Sequence, residues 1–88
     1  MKIRKWNDEK NDYDLVEIPN NWKCPMYSND MSLEINCVNC GASLPYGDGY
    51  TSMRYHNNSG FGYYECKKCY YEYYEKRVER ARAKGEIK

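Results

Sequence analysis

Cys37-Val38-Asn39-Cys40 and Cys66-Lys67-Lys68-Cys69 form two C-x2-C pairs, and thiolates at this spacing are the donor set of a tetrahedral Zn²⁺ site. Within each pair two sulfurs converge on one ion with little loop to close. Residues 41–65, between the pairs, are enough for a hairpin that returns the second pair to the first. Four sulfurs from Cys37, Cys40, Cys66 and Cys69 fill the coordination sphere, leaving no position for water or substrate, so the expected chemistry is scaffolding and not catalysis. The cofactor expected is one structural Zn²⁺ per chain, with another metal or disulfides as the alternatives.

Two further residues have reactive side chains. Cys24, the fifth cysteine, stands between Trp22 and Met26 and next to Pro25; this setting suggests a packed free thiol, against a replacement ligand or a redox group. His56 is the single histidine, so any general base or second metal site has to pass through it. It opens the polar run His56-Asn57-Asn58-Ser59-Gly60, where a solvent-exposed turn histidine is the ordinary expectation.

The chain of 88 residues is 41% hydrophobic, but eleven of those residues are tyrosines, whose hydroxyls stay in water or hydrogen-bonded. The wholly apolar core is therefore small, and one domain is expected over 1–88. A zinc contribution of roughly 10–16 kcal/mol in small fingers exceeds the usual margin of about 5–15 kcal/mol, so the metal-free form should be at least locally unfolded. Met1-Lys2-Ile3-Arg4-Lys5-Trp6 leads into polar residues with no apolar signal region, which favours reduced thiols in a bacterial cytoplasm over a secreted disulfide framework. No apolar run approaches the ~20 residues needed to cross a bilayer.

Around the cysteines the sequence predicts a small α+β zinc-stabilised domain. Met1 to Trp6 and Tyr13 to Ile18 read as a β-hairpin about the turn-prone residues 7–12, within a β-rich N-terminal extension, 1–36. Residues 19–30 read as irregular, with Trp22, Met26 and Tyr27 as anchors, and Ser32 to Asn36 as a short strand delivering the first pair. Gly41 suits a knuckle, Pro45 to Gly49 a turn, and Tyr50–Tyr55 with Phe61–Glu65 a second hairpin. From Cys66 the period becomes helical, with Tyr70, Tyr73, Tyr74, Val78 and Ala81 on one core-facing stripe and Gly85 ending the helix. The four-cysteine zinc module so defined covers 37–85.

This order of knuckle, hairpin and a helix carrying the second pair resembles the treble-clef zinc finger over residues 37 to 82, with the four cysteines at the family's ligand positions. The resemblance implies metal binding but no particular function, because treble clefs serve DNA-binding, ribosomal, adaptor and nuclease proteins alike. The run His56-Asn57-Asn58-Ser59-Gly60 between cysteine pairs also resembles the loop of His-Asn-His nucleases. Those enzymes add an acidic residue and usually another histidine; here Tyr55 precedes His56 and no nearby carboxylate completes the set, so no enzyme is expected.

Net charge is +1, but residues 1–36 hold five Lys/Arg against seven Asp/Glu and residues 65–88 hold eight against five. An acidic front disfavours a phosphate backbone, so a protein partner is expected ahead of nucleic acid. Richness in Asn, Lys and Tyr resembles products of phages and mobile elements of AT-rich hosts, and the chain as a whole is similar in type to zinc-containing anti-CRISPR proteins. That resemblance implies inhibition of a CRISPR effector nuclease by direct binding, with Asp8, Glu9, Asp12, Asp14 and Glu17 engaging a basic channel and Tyr71 giving apolar contact. The alternative is a nucleic-acid-binding finger using Lys67, Lys68, Arg77, Arg80, Arg82 and Lys84.

Overall fold

In the computed structural model, which describes residues 1–83, strands β1 (Lys2–Asn7), β2 (Asp12–Glu17), β3 (Glu34–Asn36), β4 (Ser43–Pro45), β5 (Tyr50–His56) and β6 (Gly62–Glu65) precede one helix, α1 (Lys67–Ala83). The first hairpin forms as the sequence predicts, within a residue at each end. Its register pairs Ile3 with Val16 and Asn7 with Asp12. The turn is held by the Asn7 side chain, whose Oδ1 accepts the backbone N–H of Glu9 at 3.0 Å and of Lys10 at 3.2 Å, and it closes through Asn11 at φ +52°.

The second hairpin is less regular. Between the pairs Thr51↔Tyr64 and His56↔Gly62, strand β5 carries more residues than β6 and must bulge. Buried Ser52 supports the bulge, its Oγ accepting the N–H groups of Arg54 at 3.1 Å and Tyr55 at 2.9 Å. Gly62 is required opposite, since a Cβ there would stand 2.7 Å from the Ser52 carbonyl oxygen. His56 lies within β5, paired to Gly62 and to Arg4, and is half-buried. The expectation of a solvent-exposed turn histidine is corrected: the loop begins at Asn57, because β1 pairs along β5 as far as His56.

That pairing joins the two hairpins. Strand order is β2-β1-β5-β6, so the N-terminal segment is an integral half of one antiparallel sheet. The core beside it contains Ile3, Ile18, Val38, Tyr55 and Tyr63, and the irregular segment supplies Trp22, Cys24 and Met26 to cover it. A separate ribbon pairs β3 with β4, Ile35 opposite Leu44. Here the structure extends the sequence reading, which has a turn at Pro45 to Gly49. Pro45 ends β4, and a 3-10 turn at Tyr46–Asp48 leads into β5.

Helix α1 buries Cys69 and Tyr73, with Tyr70, Val78 and Ala81 half-covered. Tyr74, expected on the core stripe, is 47% exposed. The helix packs on β5, and farther along it Tyr74, Arg77, Val78 and Ala81 line a shallow groove with Met53, which leaves Tyr74 largely in solvent. Lys84 and the expected terminator Gly85 lie outside the described residues. No helix among them is long and apolar enough to cross a membrane.

Candidate metal centre

The chain between β3 and β4 turns back on itself in a tight knuckle. Cys37 N–H donates to the Ala42 carbonyl and Gly41 N–H to the Cys37 carbonyl, each at 2.8 Å. Gly41 sits at φ +79°, and a Cβ on it would fall 2.4 Å from Cζ2 of Trp22, so only glycine admits both the turn and the indole packed on it. Asn36 fastens the preceding segment: its Nδ2 donates to the Gly41 carbonyl at 2.9 Å and its Oδ1 accepts the Lys23 N–H at 2.8 Å. The knuckle reaches β6 through Val38 N–H and the Tyr64 carbonyl, at 3.0 Å.

Two residues past Tyr64 the strand becomes helix. Cys66 occupies the N-cap position, its carbonyl accepting Tyr70 N–H at 3.0 Å, and Cys69 follows on the first turn. The sulfurs of Cys37, Cys40, Cys66 and Cys69 all lie within 4.8 Å of one another, Cys40 and Cys66 at 3.9 Å. A tetrahedron with Zn–S of about 2.3 Å has sulfur–sulfur edges of about 3.8 Å, so the quartet needs only a small contraction to take the ion. The four cysteines form a single structural zinc site, one Zn²⁺ per chain.

The electrostatics point the same way. Burial pushes the thiols of Cys37 and Cys69 up, and the neighbouring thiols of Cys40 and Cys66 add to the rise at Cys69. At Cys66 burial also opposes ionisation, but the Cys69 N–H and the surrounding thiols outweigh it and hold the group below its ordinary value. At Cys37 the backbone N–H groups of Cys40, Cys66 and Asn39 partly offset the rise that burial causes. Burial opposes a thiolate at Cys37, Cys66 and Cys69, and a dication is what lets all four sulfurs ionise together.

A side-chain relay missed in the sequence backs the site. Asn39 Nδ2 donates to Cys69 Sγ at 3.2 Å, while the Tyr55 hydroxyl donates to Asn39 Oδ1 at 2.9 Å and fixes which way the amide faces. The only sequence signal was an amide inside the first C-x2-C pair. Equally hidden was the ion pair of Arg54 with Glu65 at 3.0 Å, Glu65 being 1% exposed, immediately before Cys66. The Arg54 guanidinium also lies 5.4 Å from the Tyr55 ring centroid and 4.6 Å from that of Tyr73, bracing the sheet against α1.

The remaining candidates are scattered. Asp8 is far from a free turn carboxylate: Trp6 Nε1 donates to it at 3.0 Å, the Tyr73 hydroxyl at 2.9 Å, and Arg80 pairs with it at 2.7 Å. Asp14 pairs with Lys10 and accepts from Asn7 Nδ2 at 2.9 Å. The expectation that Asp8 is available to a basic partner is therefore corrected, since it ties the turn to α1. Glu9 and Asp12 remain exposed without an ion pair among the described residues, and exposed Glu17 pairs with the N-terminal ammonium. Tyr71 is exposed as expected. Cys24 is half-buried in the core, 3.8 Å from the Asn36 carbonyl, with its thiol pushed up by burial, and it stands apart from the quartet. His56 and the Tyr13 ring meet edge-on at 5.8 Å between centroids, and among the described residues His56 makes no ion pair and belongs to no metal-ligand cluster. Lys67, Lys68 and Arg82 are exposed on α1.

Comparison of this chain with protein-family models, curated proteins and solved structures finds no match.

Proposed function

We propose that the chain is a non-enzymatic, zinc-stabilised binding module of the treble-clef type, acting through its surface on a protein partner. The supporting observation is an exposed aromatic ladder beside the closed metal site. Tyr50 and Tyr70 stack at 5.0 Å between centroids, Tyr71 meets Tyr50 edge-on at 5.6 Å, and Tyr74 continues the row 6.4 Å from Tyr71. Tyr71 and Tyr74 present their rings to solvent, and large rings held by neighbours contribute contact area at low entropic cost. The closed four-sulfur site supports a scaffold in place of a reaction centre.

The narrower reading is an inhibitor carried by a phage or mobile element that blocks a CRISPR effector nuclease in the bacterial cytoplasm. Its electrostatic support rests on Glu9 and Asp12, since Asp8 and Asp14 are engaged internally and Glu17 pairs with the N-terminal ammonium. The test is capture on the immobilised zinc-loaded protein from bacterial lysate, with mass spectrometry, followed by a cleavage assay on the captured nuclease. Tyr71→Ala/Tyr74→Ala should abolish capture while zinc content is kept. Capture that survives that variant removes the tyrosine face from the proposal.

A second reading, nucleic-acid binding, draws on Lys76 and Arg77, neither of which has an ion-pair partner among the described residues. Binding to an oligonucleotide that weakens steeply with salt would favour it over the protein partner.

A further inference from the structure

Between α1 and strands β1, β2 and β5 lies a cleft of about 410 Å³, lined by Lys5, Trp6, Arg54, Lys76, Arg77 and Arg80 along with the Asp8, Glu9 and Asp14 carboxylates. Its cations come from three elements: Lys5 on β1, Arg54 on β5, and Lys76, Arg77 and Arg80 on α1. Two of the five have their charge met, Arg54 by Glu65 and Arg80 by Asp8. Lys5, Lys76 and Arg77 make no ion pair among the described residues. Lys5 lies over the Tyr55 ring at 5.6 Å, and Arg77 has only the Met53 sulfur at 3.5 Å.

Like charges brought together across a gap repel, and a gap between packed elements forfeits apolar contact. Both costs are offset if an anion occupies the space. We infer that this cleft binds a phosphate ester of nucleotide size, its phosphates between Lys5 and the Lys76–Arg77 pair and its organic part along Trp6. The volume falls in the range of small-ligand sites, about 300–1,000 Å³. The Trp6 indole, packed at 74° to the Tyr13 ring 5.0 Å away, lines the cleft as the contact for a planar group, and Glu9, whose carboxylate has no ion pair among the described residues, offers an acceptor for a hydroxyl or amino group. The site adjoins the tyrosine ladder at Arg77, which also lines a groove with Tyr74, but none of Tyr50, Tyr70, Tyr71 and Tyr74 lines the cleft itself.

The test is calorimetric titration of the zinc-loaded full chain with inorganic pyrophosphate and with ADP, zinc content being verified afterwards because pyrophosphate complexes free zinc. Both probes should saturate one site per chain, with ADP bound about tenfold more tightly through its contact with Trp6. Lys76→Ala/Arg77→Ala should weaken both by about tenfold or more and leave thermal stability unchanged, since neither side chain is buried or paired. Lys23→Ala/Arg82→Ala, which removes two cations outside the cleft, should change affinity less than about twofold. Absence of saturable binding, equal losses in the two double variants, or ADP no tighter than pyrophosphate would each overturn the assignment.

Discussion

Replacing Glu65 by glutamine tests how the helix that carries half of the metal site is held to the sheet. The substitution keeps side-chain shape and one carbonyl acceptor but removes the charge facing Arg54 at 3.0 Å. Burial alone would pull the Arg54 guanidinium down, yet the hydrogen bond and charge of Glu65 outweigh it and hold the group above its ordinary value. Breaking a buried pair by removing one partner costs about 3–5 kcal/mol, because a charge is left without compensation. Arg54 retains two ring faces, at 5.4 and 4.6 Å, and such contacts are each worth about 0.5–2 kcal/mol. With Arg54 also 19% exposed, the expected loss falls to about 2–3 kcal/mol. Urea denaturation at fixed excess free zinc measures it, since the metal contribution then cancels between variants. Zinc stoichiometry should remain at one, and Arg54→Met/Glu65→Gln should be no less stable than Glu65→Gln alone, the two sites being coupled. A loss below about 1 kcal/mol, or additive losses in the double variant, would refute the claim that this pair braces helix to sheet.

Protein purified without added metal should contain one zinc per chain by elemental analysis, lose it in Cys37→Ser or Cys69→Ser with collapse of the folded signal, and retain it in Cys24→Ser; strong chelation should unfold the wild type. At Asp8 burial opposes ionisation, but the Tyr73 and Trp6 donors and Arg80 together hold the carboxyl below its ordinary value. A depressed folded-state pKa stabilises above the unfolded value and is lost as pH falls through the folded one, so Asp8→Asn should cost about 1 kcal/mol at pH 7, with the gap to wild type closing below about pH 4. Gly41→Ala meets both the Trp22 ring and a left-handed φ; it should lower stability by about 2 kcal/mol or more, seen as a fall in the urea midpoint at fixed free zinc. His56→Ala should leave partner capture intact, and neither it nor the wild type should cleave DNA with Mg²⁺; wild-type cleavage that the variant loses would show His56 to be catalytic.

Local chemistry carried the parts of this protein that the sequence made legible. The C-x2-C spacings named all four zinc ligands because two sulfurs three residues apart converge on an ion whatever the remainder of the chain does. Residues 7–12 announced the first turn, since an Asn side chain caps the backbone N–H groups two and three residues on. Gly41 was legible for the same reason, a single residue having to adopt a positive φ.

What tertiary structure alone decided depends on which elements meet across long stretches of chain. Pairing of β1 with β5 made one sheet of two hairpins and drew His56 out of its loop; no local signal specifies a partner strand some fifty residues away. The helical period marked a stripe from Tyr70 to Ala81, but burial depends on what the stripe faces, so Tyr73 is enclosed and Tyr74 is bare. Asp8 looked like one more solvated turn carboxylate. Only when α1 crosses the turn do Tyr73 and Arg80 reach it, because hydrogen bonds and ion pairs form over a few ångströms of space and are indifferent to separation along the sequence.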